Sequence, residues 1–404
     1  MKNRILFFLV SVFLGAAMLY SCHEEPVGQT STNSTPPGKI TNPSVENLPG
    51  GARISYTLPA DDDLLYVKAV YYINGVEKSA ASTLYVNSVE VMGFGSTDEQ
   101  SVWLYCVDRS GNQSEAEEVK INPTTPPVML IHESMQMYPN FGGIGISWKN
   151  EFKTPIAIYV LAADSVGDIQ VADVVYTGVA DGRFSLRGFP DTERIFGAYV
   201  RDRWDNFSDT LLGAFTPFYE ELLDKKKFRP VVLPGDNNNP YPMYPMEGMW
   251  DDSAAEAQYQ MYIQISHPAG TPNFFTFELG AVAKLSRYTL WQRLYPTLVY
   301  SHTNLKKWKL YGSAELKPTT DLDYWTEGWK DDWFLLADSE IIKPSGNLPV
   351  VTQDDMDAAH AGHNFDIDID APPVRYIRFF VESTWSGSLE CQIAEITFWG
   401  QELE

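Results

Sequence analysis

The chain has 404 residues and carries 53 acidic against 30 basic side chains, a formal net charge of −23. This length predicts two to four domains, and a composition of 44% apolar and 21% charged residues excludes a disordered chain. An acidic surface repels phosphate groups, so we expect no nucleic-acid partner and no electrostatic binding to anionic membranes. The three cysteines exclude a disulfide scaffold and a zinc site made of four thiolates.

The N-terminal segment has the pattern of an export signal. Two basic residues, Lys2 and Arg4, precede an apolar run at 5–20, which is shorter than the about 20 residues of a transmembrane helix. The run ends in LYSC at 19–22, which resembles a bacterial lipobox, although an ordinary secretory signal with a chance cysteine is the alternative. We predict a lipoprotein signal peptide at 1–21 and lipidation of Cys22. A flexible tether rich in Ser, Thr and Pro is predicted at 22–38.

Two sequence motifs recur along the first half of the chain. Residues 50–56 (GGARISY) recur at 142–148 (GGIGISW), and residues 108–114 (DRSGNQS) recur at 202–208 (DRWDNFS). Alternating apolar runs lie between the motifs, which indicates tandem all-β sandwiches. The second motif resembles the last hairpin of fibronectin type III domains. We therefore predict fibronectin-III-like modules at 39–123 and 124–222, joined by the stiff PTTPP segment at 123–127.

The last segment concentrates the aromatic residues, because eight of the eleven tryptophans lie in 228–404. It shows strand patterns and no amphipathic helix of any length. Six of its motifs occur in the order typical of discoidin-like (coagulation-factor C-type, galactose-binding-like) jelly-roll domains, and the segment resembles that family. They are WDD at 250–252, FTFELG at 275–280, LSRYTLWQR at 285–293, WKLYGS at 308–313, VRYIRF at 374–379 and IAEITFWG at 393–400.

We therefore predict an all-β chain in which two fibronectin-III-like sandwiches precede a discoidin-like, carbohydrate-binding-type domain at 223–404. This arrangement, with acidic residues at 24–25 after the lipobox, resembles the surface lipoproteins of Bacteroidetes polysaccharide-utilisation systems. The resemblance implies an outer-membrane protein, held by its lipid and facing the cell exterior.

Sugar recognition needs a flat aromatic face and planar polar groups for the hydroxyls. In discoidin-like glycan binders, an arginine at the end of an early strand and an aromatic residue before the last strand supply these groups. The resemblance assigns the two roles to Arg293 and Trp385, although a structural ion pair and a core cap are the alternatives. Four residues of the following loop are predicted to assist: Tyr295, Tyr300, His302 and Asn304.

The same resemblance implies a structural Ca²⁺ ion held by loop carbonyls, an aspartate of the opening loop and a late glutamate. Asp251 or Asp252 with Glu395 fits that pattern, because hard cations prefer oxygen ligands. The alternative is a salt bridge from Glu395 to an arginine. We expect no other cofactor.

Other motifs favour structural interpretations. Trp325, Trp329 and Trp333 are expected to pack together rather than extend the sugar platform, and His360 with His363 is expected in an exposed loop rather than at a metal. Cys106 and Cys391 are expected to be buried thiols, because they lie on apolar, alternating strands.

No nucleophile motif is evident, so we predict no enzyme. The hypothesis is a non-catalytic surface lipoprotein that captures polysaccharide or oligosaccharide. The alternative is a surface adhesion or scaffold protein that binds a partner protein such as an outer-membrane transporter.

Overall fold

The computed structural model describes residues 34–237, 240–254, 262–264, 271–294 and 298–403. Two predicted functional residues, Cys22 and Tyr295, lie outside these ranges. The described chain folds into three successive β units, which confirms the predicted all-β class. In these ranges, no helix has both the length and the apolar character needed to cross a bilayer.

The first module is a sandwich of two antiparallel sheets whose strand orders are β1-β2-β5 and β4-β3-β6-β7. This division of seven strands has the fibronectin type III arrangement. Its inward residues alternate with exposed ones, as expected for strands with one buried face. The strands are β1 (Thr41–Leu48), β2 (Gly51–Thr57), β3 (Leu64–Ile73), β4 (Val76–Thr83), β5 (Ser88–Met92), β6 (Gln100–Asp108) and β7 (Glu117–Ile121).

The second module repeats this architecture, with sheets in the orders β8-β9-β12 and β11-β10-β13-β14. A short helix that the sequence did not predict, α1 (Pro127–Ser134), opens the module, with proline in its first turn, where no backbone N–H is needed. The strands are β8 (Gln136–Asn140), β9 (Gly143–Lys149), β10 (Ile156–Ala163), β11 (Ile169–Thr177), β12 (Asp181–Leu186), β13 (Arg194–Asp202) and β14 (Leu211–Phe215).

The repeated Asp-x-x-x-Asn-x-Ser motif closes the same turn in both modules. In the first, the Asp108 carboxylate accepts hydrogen bonds from the Asn112 N–H and side-chain amide at 2.8 and 2.9 Å. In the second, Asp202 accepts the equivalent bonds from Asn206 at 3.0 and 2.8 Å. The motif therefore recurs because its polar side chains satisfy the backbone of one turn.

The second copy of this turn also docks the two modules together. The Asn206 side-chain amide donates to the Gly93 carbonyl at 2.9 Å, and Trp204 packs against the core of the first module. A β-carbon at position 93 would lie 2.8 Å from the Trp204 ring, so this glycine permits the close approach.

The third unit is a two-layer β domain whose main sheet has the order β15-β24-β18-β22-β19-β20, with β16 and β21 also paired to β18 and with β17 paired to β23. Its first strand therefore pairs with its last. The strands are β15 (Glu221–Leu222), β16 (Arg229–Val231), β17 (Tyr262–Ile263), β18 (Asn273–Trp291), β19 (Leu305–Ser313), β20 (Phe334–Glu340), β21 (His363–Asp366), β22 (Val374–Thr384), β23 (Gln392–Ile393) and β24 (Glu395–Glu402).

Strand β18 joins two motifs that the sequence presents as separate strands. Its register with β22 shifts between Glu278 and Ala283, where Gly280 has a φ of +80°. Before this bulge the strand pairs with β16 and β22; after it the strand pairs with β21 and β24, and only Ala283 still pairs with β22. One bent strand thus serves both layers of the domain.

The three evenly spaced tryptophans pack together, as predicted. Trp325, Trp329 and Trp333 are all buried in a satellite core beside the main one. Trp325 lies on a short helix, α2 (Leu322–Thr326). The cluster surrounds Arg378, which is 0% exposed and pairs with the buried Asp236 at 2.6 Å.

The expectation of no helix and of an exposed histidine loop is wrong for residues 353–363. A nine-residue helix, α3 (Gln353–Ala361), begins with a capping box formed by Thr352 and Asp355. His360 is exposed at its end, whereas His363 is half-buried on β21, where burial lowers its pKa to about 4. Cys106 and Cys391 are both buried free thiols, as predicted.

Candidate functional site

One end of the C-terminal domain brings together two loops that carry the predicted sugar-binding residues. The first loop follows β18 and the second follows β22. The Trp385 N–H donates to the Asn304 carbonyl at 3.1 Å, and the Ser386 N–H donates to the His302 carbonyl. Five of the six predicted residues therefore share one end of the domain, and the sixth, Tyr295, is outside the described ranges.

Trp385 is a half-buried aromatic residue of this end. Its ring meets Tyr300 edge to face at a centroid distance of 5.5 Å, and the Lys306 ammonium lies 5.1 Å from its centroid. The part of the ring that remains exposed can contact the C–H face of a sugar. Trp385 also packs against the main core, as its alternative role of core cap requires, so the sugar-contacting role stays a prediction.

Two of the predicted helpers are buried supports instead of exposed contacts. Asn304 is 0% exposed; its side chain accepts from the Arg293 N–H at 2.9 Å and donates to the Leu298 carbonyl at 2.7 Å. Tyr300 is 7% exposed, and burial raises its pKa to about 12. Both residues hold the loop in place beneath Trp385.

Arg293 and His302 are the predicted polar residues that reach the surface. Arg293 is half-buried and His302 is exposed, with its Nδ1 atom 3.0 Å from the Ser301 hydroxyl. Tyr300 and His302 both have left-handed backbone conformations, with φ values of 49° and 53°. Such conformations are uncommon for residues with side chains and concentrate at functional loops.

Sequence reasoning missed Lys306 and Gln292. Gln292 is buried; it accepts from the Tyr300 N–H at 2.8 Å and lies 3.2 Å from the Nε2 atom of His363. Gln292 precedes Arg293 and Lys306 lies two residues after Asn304. The sequence spacing alone does not show that their side chains lie at the same end of the domain as the predicted residues. Lys306 adds a cation beside Trp385, so the end carries two basic groups, Arg293 and Lys306, on an acidic protein.

The residues proposed for calcium surround a lysine. The Lys225 ammonium lies 2.6 Å from a Glu395 carboxylate oxygen and 3.0 Å from one of Asp252. Glu395 also accepts from the Ser253 N–H at 3.2 Å, and burial raises its pKa to about 7. Across the described ranges, no group of three or more His, Cys, Asp or Glu side chains is placed to hold a metal ion. The lysine competes with a calcium ion for the same carboxylate oxygens, and calcium at this place stays a prediction for direct test.

The bent, two-layer domain and its loop-borne aromatic and cationic groups define a β-sandwich protein with a candidate ligand-binding end. The chain is 31% identical to a solved structure described as the SusE-like protein BT2857; the match covers 69% of this chain and 100% of that one, with a TM-score of 0.44. The chain therefore belongs to the SusE-like family.

Other comparisons divide the chain into three parts. The profiles of three families, each described as a domain of unknown function, match residues 37–123 (DUF4959), 124–226 (DUF5126) and 250–400 (DUF5000). No curated protein matches the chain.

Two further solved structures show lower similarity. The CBM32-1 and CBM32-2 domains of Clostridium perfringens ZmpB, in complex with GalNAc, are 13% identical over 45% of this chain and 36% of that one, with a TM-score of 0.30. A segment of two fibronectin type III domains from chicken tenascin is 11% identical over 44% of this chain and 99% of that one, with a TM-score of 0.23.

Proposed function

We propose that this SusE-like protein is a non-catalytic glycan-binding lipoprotein of the outer membrane. In this proposal Cys22 carries the lipid, the protein faces the cell exterior, and the C-terminal domain captures polysaccharide or oligosaccharide for a polysaccharide-utilisation system. The observation that carries the proposal is the meeting of Trp385, Arg293 and His302 at one end of that domain. A partly exposed indole and planar polar groups at the same end of the domain can supply both kinds of contact that a sugar ring needs.

Binding to a panel of plant, host and algal polysaccharides, measured by affinity electrophoresis and calorimetry, tests this function. Trp385→Ala and Arg293→Ala should each weaken the affinity for the bound glycan at least tenfold, because central aromatic and arginine contacts dominate binding energy. The matched control is Trp103→Ala, which removes a half-exposed tryptophan from β6 of the first module and should leave the affinity unchanged.

Two results would contradict the proposal in different ways. Unchanged affinity in both site variants would move the site elsewhere on the protein. A wild-type protein that binds no glycan but is recovered with an outer-membrane transporter would favour the scaffold function instead. Release of reducing sugar by the purified protein would identify an enzyme.

A further inference from the structure

A cleft of about 1030 Å³ lies between the second module and the C-terminal domain. One wall is the outer face of the sheet formed by β8, β9 and β12. The other wall includes residues 366–370, which begin at the end of β21. The described residues that line the cleft do not include Arg293, His302 or Trp385, so the cleft is separate from the site described above.

Tyr138 forms a flat aromatic surface on the module wall. Its cross-strand partner is Gly145, and a β-carbon at position 145 would lie 2.2 Å from the Tyr138 ring. The ring therefore lies across the glycine, in the place that a side chain would otherwise fill. Tyr138 is half-buried and lines the cleft, so the ring face opposite the glycine is turned towards the open space.

Polar groups also line the cleft near this ring. The Arg183 side chain is 78% exposed, and its guanidinium lies 3.7 Å from the Asp368 carboxylate across the cleft. Gln136 and Ser147 also line the module wall. Planar guanidinium, amide and carboxylate groups beside an aromatic face match the hydroxyls and the C–H face of a sugar.

The two walls are joined by hydrogen bonds and ion pairs, of which the pair between Arg187 and Glu220 is largely buried and the contacts to Asp366 are more exposed. Arg187 is 16% exposed and binds Glu220 at 2.8 Å and Asp366 at 3.0 Å. Ser185, on the module, donates to Asp366 at 3.1 Å. Because the walls are already in place, a ligand does not have to order them when it binds.

We propose that this cleft is a second glycan-binding site, which takes an uncharged segment of the same polysaccharide chain. Three carboxylates, those of Asp366, Asp368 and Asp370, line the cleft together with three cations, those of Arg183, Arg187 and Lys284, so the lining has no net charge. A lining without net charge offers no net attraction that would offset the cost of dehydrating a uronic-acid carboxylate, so we expect it to take uncharged sugar. This inference rests on the proposed glycan-binding function.

The test compares Tyr138→Ala with Tyr176→Ala in the complete protein, against the neutral polysaccharide of the panel that the wild type binds most tightly. Tyr176 is an 80% exposed tyrosine on β11, in the other sheet of the same module, so its replacement is a matched control. Tyr138→Ala should lower the affinity about tenfold, because it removes one aromatic stacking surface, and the control should not change it. Arg183→Ala, at a residue too exposed to affect folding, should lower the affinity about three- to tenfold.

The outcomes separate this inference from the function on which it rests. Affinity lowered by Trp385→Ala but unchanged by both Tyr138→Ala and Arg183→Ala overturns the second site alone. A wild type that binds no polysaccharide overturns both proposals. Binding of polygalacturonate as tight as that of the neutral polysaccharide, with the same loss in Tyr138→Ala, overturns the stated preference for uncharged sugar.

Discussion

Arg378→Met should lower the free energy of unfolding of the C-terminal domain by about 3–5 kcal/mol at pH 8, because it strands a buried carboxylate. Arg378 and Asp236 have side-chain exposures of 0% and 1% and lie 2.6 Å apart. The guanidinium also lies 4.3 Å from the Phe274 centroid and 4.6 Å from that of Trp329. The measurement is chemical denaturation followed by tryptophan fluorescence.

The loss of unfolding free energy caused by Arg378→Met should become smaller as the pH falls. Burial raises the pKa of Asp236 to about 6 even beside the arginine, so folding disfavours its charged form. A group whose pKa is raised in the folded state stabilises the fold at low pH and loses that contribution as the pH rises through the folded value. Without Arg378 the pKa of Asp236 rises further, so the variant should recover part of its lost stability at pH 5.

Arg375→Met provides the matched control, on the same strand. Arg375 pairs with Glu278 at 2.7 Å, but its side chain is 41% exposed, and exposed pairs contribute about 0–1 kcal/mol. The double variant Arg378→Met with Asp236→Leu should be more stable than Arg378→Met alone, because no buried charge remains. Equal destabilisation by Arg375→Met and Arg378→Met would contradict the prediction.

Lys225→Met should destabilise the same domain by about 3 kcal/mol, because it removes the cation from a buried carboxylate. The Glu395 side chain is 3% exposed and that of Lys225 is 11% exposed. Because burial already raises the pKa of Glu395 to about 7, the loss should be largest above pH 7 and smaller at pH 5, where Glu395 is protonated. Thermal unfolding of the variant and the wild type, above pH 7 and at pH 5, measures this loss of stability.

The same thermal-unfolding measurement also tests whether the wild type binds calcium. With the ammonium of Lys225 between Glu395 and Asp252, the melting temperature of the wild type should be the same in millimolar Ca²⁺ and in EDTA. Lys227→Met is the control for Lys225→Met. The pair of Lys227 with Glu402 has side-chain exposures of 43% and 27%, so its loss should change the stability little. A melting temperature that rises with Ca²⁺ in the wild type would instead support a calcium site.

The sequence predicted best those features whose interacting residues lie close together along the chain. The repeated Asp-x-x-x-Asn-x-Ser turns were readable because all their partners lie within a few residues, from Asp108 to Ser114 in the first module. Period-2 patterns identified the sandwiches for the same reason. The motifs around Arg293 and Trp385 were placed at one domain end by resemblance, and the loops that carry them do meet.

What the sequence could not predict depends on contacts between distant residues. Asp236 and Arg378 are 142 positions apart, and Lys225 and Glu395 are 170 apart, so no spacing rule pairs them among many acids and bases. The bend of β18 at Gly280 joins two motifs into one strand, which neither motif indicates alone. The interdomain cleft is likewise a product of packing between two separately folded units.

The two joints between the units have a mechanical consequence. On the proposed function, tension on a polymer held at the Trp385 end passes in series through the Glu220 contacts and then through the Trp204 contact before it reaches the lipid. The first joint includes the ion pairs of Glu220 with Arg187 and Arg287, and the second includes the Trp204 ring and the Asn206 amide against Gly93. A pull on the bound polymer would therefore load both joints at once, and the weaker of the two would open first.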